Sequence, residues 1–197
     1  MSGTFTADLS AMGRWAEGLM ASRPPDFVIG DDYLRRWWVM PRNNYCNVYL
    51  HDIRQSDDDR ALHDHPWGNT SVILLGGYIE HTPEGTFTRQ AGDVVTRSAN
   101  TLHRLEVIPG QRAISLFMTG PVEREWGFAC GHGWVHWRDF VDARDSGQVG
   151  RGCGEHDSLS PVTEPGQERG TIALPLDAPN PPIPTTKTAE DQSEDQS

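Results

Sequence analysis

The chain has 197 residues, with 17 Lys+Arg against 28 Asp+Glu and a formal net charge of -11. That length supports one ordinary domain with a real core and excludes two large ones, and the acidity counts against phosphate-backbone binding as the main task. No stretch approaches ~18 consecutive apolar residues, so no membrane-spanning helix is predicted. Cys46, Cys130 and Cys153 are too few and too scattered for a disulfide framework. Together with a start that lacks the charged lead and apolar run of a secretory signal, they predict a cytoplasmic protein in a reducing compartment.

In chain order, Leu9, Met12, Trp15, Ala16 and Leu19 follow the spacing of one apolar helix face, which Pro24-Pro25 ends. This helix belongs to an N-terminal segment, residues 1–30. Short runs rich in β-branched and aromatic residues then predict strands at Leu34–Met40, Tyr45–Ile53, Thr70–Leu75, Tyr78–Thr82, Asp93–Thr96, Arg104–Ile108 and Ala113–Met118. Turns are expected at Gly76-Gly77, Pro83-Glu84-Gly85, Ala91-Gly92 and Pro109-Gly110. Strands alternating with turns, without helices between them, predict an all-β antiparallel sandwich or barrel. The barrel with its aromatic extension spans residues 31–157, the extension carrying Trp126, Phe128, Trp134, Trp137 and Phe140. Almost no Lys or Arg is interleaved with these rings, so they are expected to cover an open end or edge of the barrel, not to stack on bases. From Ser158 to Ser197 there are seven prolines, seven acids, two bases and no aromatic residue, the composition of a disordered acidic tail.

The segment His63-Asp64-His65-Pro66-Trp67-Gly68-Asn69 carries the chemistry. Residues two apart on a strand share a face, so His63 and His65 can present both imidazoles to one point while Asp64 looks away. His103 lies in a second strand-like segment. Three neutral imidazoles on a rigid sheet suit a divalent transition metal and leave coordination positions open for water or substrate. Hydrogen-bonded histidines in a barrel without metal are the plainer alternative.

The spacing resembles the cupins, small jelly-roll β-barrels. Their first motif runs His-x-His, three or four residues, Glu, six residues, Gly; here it is His63, His65, Asn69 and Gly76. Their second runs Gly, five residues, Pro-x-Gly, two residues, His, three residues, Asn; here it is Gly92, Ser98, Asn100, His103 and Val107. The resemblance covers about Tyr45 to Met118. It implies one metal held by His63, His65 and His103, with Asn69 at the place of the family's usual glutamate ligand. Cupins with three-histidine iron sites include thiol dioxygenases, so the implied metal is Fe2+ first, with Zn2+, Mn2+ or Ni2+ as alternatives.

Strand alternation from Asn69 would turn Ser71, Ile73 and Leu75 inward as a mostly apolar wall. Tyr78, Glu80 and His51 are the candidate catalytic groups; Tyr49, Arg97 and Arg104 are further candidates to orient a substrate, an inward Arg or Tyr being able to grip a carboxylate. The expected function is a mononuclear metal enzyme, dioxygenase-like, acting on a small molecule. A non-catalytic small-ligand binder and a metal-dependent isomerase or lyase are the alternatives. A homodimer is expected, with neither nucleic acid nor membrane as partner. Cys130, His132, His136, Cys153 and His156 match no standard zinc spacing, Gly150–Gly154 reads as a turn, and Asp57-Asp58-Asp59 reads as a solvated loop.

Overall fold

The structure, a computed structural model, describes residues 8–57, 61–144 and 148–154. The expected tail, together with Glu155 and His156, lies outside the described residues.

Helix α1 (Leu9–Ser22) begins where the Asp8 carboxylate accepts from the Ser10 and Ala11 amides at 3.0 and 3.1 Å, an N-cap that satisfies donors the first turn leaves open. Its buried face packs Ala16, with Leu9, Met12 and Leu19, on Trp37, Leu50, Leu74 and Ile114. Trp15, expected in that face, is 44% exposed. Gly13 takes the contact position beside it, where a Cβ would stand 3.2 Å from the Leu75 side chain.

The strands that follow are antiparallel. One curled sheet runs in the order β1 (Phe27–Ile29), β2 (Leu34–Trp38), β3 (Asn47–Ile53), β9 (Ala113–Thr119), β5 (Asn69–Thr82) and β6 (Gly85–Gln90). Strands β7 (Val94–Arg97) and β8 (Arg104–Glu106) pair with β5 as well. A smaller sheet, β11 (Gly133–His136), β10 (Gly127–Cys130) and β4 (Leu62–His63), brings the aromatic extension to the barrel, followed by the short helix α2 (Trp137–Phe140). The expected strands are present, although the strand expected through His63 and His65 ends at His63 as β4; β1, β6, β10 and β11 are additional.

Strand β5 departs from expectation in a way that shapes the site. Gly76-Gly77 is not a turn between two strands: one strand runs through it. Its register against β9 slips between Ile73 and Leu75, so Leu74 is the extra residue of a bulge. Leu74 and Leu75 both go to the outer side beneath α1, which corrects the inward placement of Leu75. Beyond the bulge the alternation is displaced by one, and Tyr78 and Glu80 become the buried positions. The glycines permit the neighbours to approach: Gly76 has φ +65, and a Cβ there would lie 1.9 Å from the Arg112 carbonyl oxygen.

The inner face reads as rows across the strands. Leu34, Ile53 and Ala113 form an apolar row; Arg36, His51, Ser115 and Ile73 form the next; Trp38, Tyr49, Phe117 and Ser71 form an aromatic one. Asn69, Thr119 and Arg97 lie one row further on.

Candidate metal centre

Backbone pairing brings the three histidines together. His63 and His103 exchange both main-chain hydrogen bonds at 2.9 Å, and the His65 amide donates to the Ala99 carbonyl at 3.0 Å. Asp64 points the other way, as alternation requires. Its carboxylate accepts from the Gly127 amide at 2.8 Å, from Trp134 Nε1 at 3.1 Å and from Arg124, which ties the histidine segment to the smaller sheet.

One ring nitrogen from each of His63, His65 and His103 lies within 4.8 Å of the others. His65 Nε2 and His103 Nε2 are 2.9 Å apart, close to the ~3 Å between cis nitrogens that each sit ~2.1 Å from one ion. The donor set therefore fits a divalent transition metal. Burial, with the charge of neighbouring rings, pushes His65 well below its ordinary value, and burial lowers His63 to about 4 against the opposing pull of Asp57. Both rings are neutral at pH 7, the form that ligates. His65 also stacks on Trp67, with ring centroids 4.8 Å apart.

Behind His103 stands Glu80, 1% exposed. Its Oε1 is 2.9 Å from His103 Nδ1, and the carboxylate accepts from Arg97 Nε at 2.6 Å and Arg89 Nε at 2.7 Å. A carboxylate on Nδ1 fixes the ring so that Nε2 is the free ligand nitrogen. Burial alone would raise the Glu80 carboxyl, but the His103 hydrogen bond, the Arg97 charge and the Arg89 bond outweigh it and hold it at about 2. Glu80 does not line the cavity. Its carboxylate instead reaches the outer nitrogen of the His103 ring and the two arginines.

A cavity of about 210 Å³ opens beside the histidines, smaller than the ~300–1,000 Å³ of drug-sized sites and suited to a small molecule. Its walls include Leu34, Ile53, Trp67, Phe117 and Phe128. His51 and Tyr78 line it, as do Ser71 and Arg97. Burial raises the Tyr78 hydroxyl above its ordinary value, against the pull of Arg97 and of a Ser71 hydrogen bond. Burial and the Arg36 charge keep His51 neutral, with Nε2 accepting from Arg36 Nε at 2.9 Å. Asn69 is buried; its Oδ1 accepts from Arg97 Nη1 at 3.4 Å while Nδ2 has no partner among the described residues.

Other expectations change. Asp57 is not a solvated loop acid: it lines the cavity, accepts from the Leu105 amide at 2.6 Å and from the Tyr33 hydroxyl, and stands 3.9 Å from His63 Nδ1. Cys130 and Cys153 form a disulfide, which removes the cysteine argument for a reducing compartment. His136 caps α2 and pairs with Glu125, so no second metal cluster forms among the described residues. The aromatic extension does cover the barrel: Trp126, Phe128 and Phe140 line the cavity. Arg36 and Ser115, which also line it, carry no motif that would single them out in the sequence.

No helix among the described residues is long and apolar enough to cross a membrane. No family model matches the chain, and no curated protein is similar to it in sequence. Similar solved structures include a DMSP lyase from Ruegeria pomeroyi (13% identity, 62% of this chain and 68% of that one, TM-score 0.48). A polyketide cyclase from Streptomyces resistomycificus matches at 15% identity over 70% of this chain and 84% of that one, with a TM-score of 0.44. A cupin-2 domain from Rhodospirillum rubrum matches at 13% over 51% and 68%, with a TM-score of 0.44. Neither metal nor reaction is carried across from matches of this order. The antiparallel barrel folds the two histidine motifs onto one point of its wall.

Proposed function

We propose that the protein is a mononuclear metal enzyme acting on a small molecule, with His63, His65 and His103 as protein ligands and dioxygenation as its reaction when the metal is Fe2+. The observation that carries this reading is the convergence of three ring nitrogens, one of them braced by Glu80, at the wall of a cavity. A bound divalent ion would supply Lewis-acid polarisation, and iron would add redox chemistry with oxygen. The chain's own residues do the rest. Trp67, Phe117 and Phe128 exclude water from the cavity, and Tyr78 holds a phenolic proton at its wall. Asn69 stands at the motif position where the cupins carry a glutamate, and its amide is neutral, so it adds no negative charge to the centre.

Elemental analysis of the purified protein beside the double variant His63→Ala/His103→Ala tests the metal. Near-stoichiometric metal in the wild type and its loss in the variant are expected; equal metal in both contradicts the assignment. Oxygen uptake by iron-loaded protein against a panel of thiols and small acids tests the reaction, and no uptake with any of them rejects dioxygenation in favour of isomerase or lyase chemistry.

A further inference from the structure

The cavity wall holds two buried arginines, and only one is neutralised by the protein. Arg97 meets Glu80. Arg36 is 6% exposed and has no carboxylate within ion-pair distance among the described residues. Its Nε donates to His51 Nε2 at 2.9 Å, and its guanidinium lies 4.7 Å from the Tyr49 ring centroid. Because His51 Nε2 accepts that bond, the proton of the neutral ring sits on Nδ1. A guanidinium donating to a neutral imidazole keeps its full positive charge.

The same cross-strand row supplies a second group. Ser115, paired with His51 in the register of β3 and β9, is 1% exposed, lines the cavity, and its Oγ has no partner among the described residues. A buried cation and an unpaired buried hydroxyl in one row are each costly without a ligand. Both costs are met by a group with oxygens to accept from the guanidinium and the hydroxyl. The walls around them, Leu34, Ile53, Phe117 and Phe128, are apolar, which suits an organic acid better than a fully hydrated inorganic anion. Asp57 is the one carboxylate lining the cavity among the described residues, and it is occupied by the Leu105 amide and the Tyr33 hydroxyl.

We infer that the Arg36–Ser115 row is the substrate-recognition site of the cavity and that it takes a small carboxylate with an apolar body, the carboxylate resting on the guanidinium fork. This rests on the small-molecule reading above but not on metal binding, and the test separates the two.

Titration calorimetry of EDTA-treated full-length protein with isovalerate, phenylacetate and benzoate, each beside its neutral amide, reads the site without metal. The wild type should prefer at least one carboxylate over its amide by about tenfold or more. Arg36→Met should abolish that preference and Arg36→Lys should keep part of it, since the charge stays and the fork is lost. Metal content after reconstitution should be the same in Arg36→Met and wild type, so a failed metal site and a failed acid site give different results. Amides binding as well as carboxylates, a preference that survives Arg36→Met, inorganic phosphate binding more tightly than every acid, or no acid binding the wild type below about 10 mM would each overturn the inference. If Arg36→Met does not fold, the wild-type preference and the Arg36→Lys loss decide it alone.

Discussion

Arg97 and Arg36 stand on inner-face strands of one barrel, at 4% and 6% exposure, and both line the cavity. Around Arg97 the protein closes the circuit: Glu80 binds Arg97, Arg89 and His103 at 2.6 to 2.9 Å. Around Arg36 it supplies a neutral imidazole and a ring face. Burial lowers the Arg36 guanidinium to about 10, so folding pays for this charge without a carboxylate partner among the described residues. The contrast separates a region built to hold histidines still from one left open for a ligand.

Removing Glu80 should break the first region. Glu80→Gln leaves two arginines around a neutral amide, a change expected to cost about 3–5 kcal/mol in denaturant unfolding. It should also weaken metal binding by ~10–100-fold through loss of the brace on His103. A variant with wild-type stability and metal affinity would reject the positioning role. Acid should have a related but smaller effect. Because the folded Glu80 carboxyl lies at about 2 against an ordinary 4.5, its contribution is present above pH 4.5 and is lost as pH falls through about 2. That contribution is roughly 3 kcal/mol, and Glu80→Gln should flatten the stability profile across that window.

Arg36→Met should behave in the opposite way. It removes a buried charge that no carboxylate neutralises and orphans one acceptor on His51, so ligand-free stability should fall by no more than about 1 kcal/mol. A loss as large as that of Glu80→Gln would erase the contrast between the two regions. Asn69→Ala should be the mildest for the metal, with affinity changed less than about threefold; a large loss would make the amide a ligand.

The pair His63 and His65 was legible in the sequence because its rule is local, two residues apart on an extended segment sharing a face, whereas His103, 38 residues beyond His65, rested on the spacing of the second motif. The phase of Tyr78 and Glu80 was not legible. It depends on the bulge at Leu74, which is set by packing beneath α1 and by Gly76-Gly77 lying against the Arg112 and Arg89 carbonyls. Arg36 was hidden because neighbours on opposite faces of β2 are both buried, Trp37 beneath α1 and Arg36 in the cavity, so polarity does not mark which face is inward. Cys130 and Cys153 lie 23 residues apart, a spacing that carries no pairing information without the fold.

In the proposed centre three imidazoles hold one ion. X-ray absorption at the metal edge of reconstituted wild-type protein counts those ligands most directly. Three imidazole scatterers on each ion, falling to two in His103→Ala, is the expected result; thiolate scattering, or a ligand shell unchanged by His103→Ala, would contradict it.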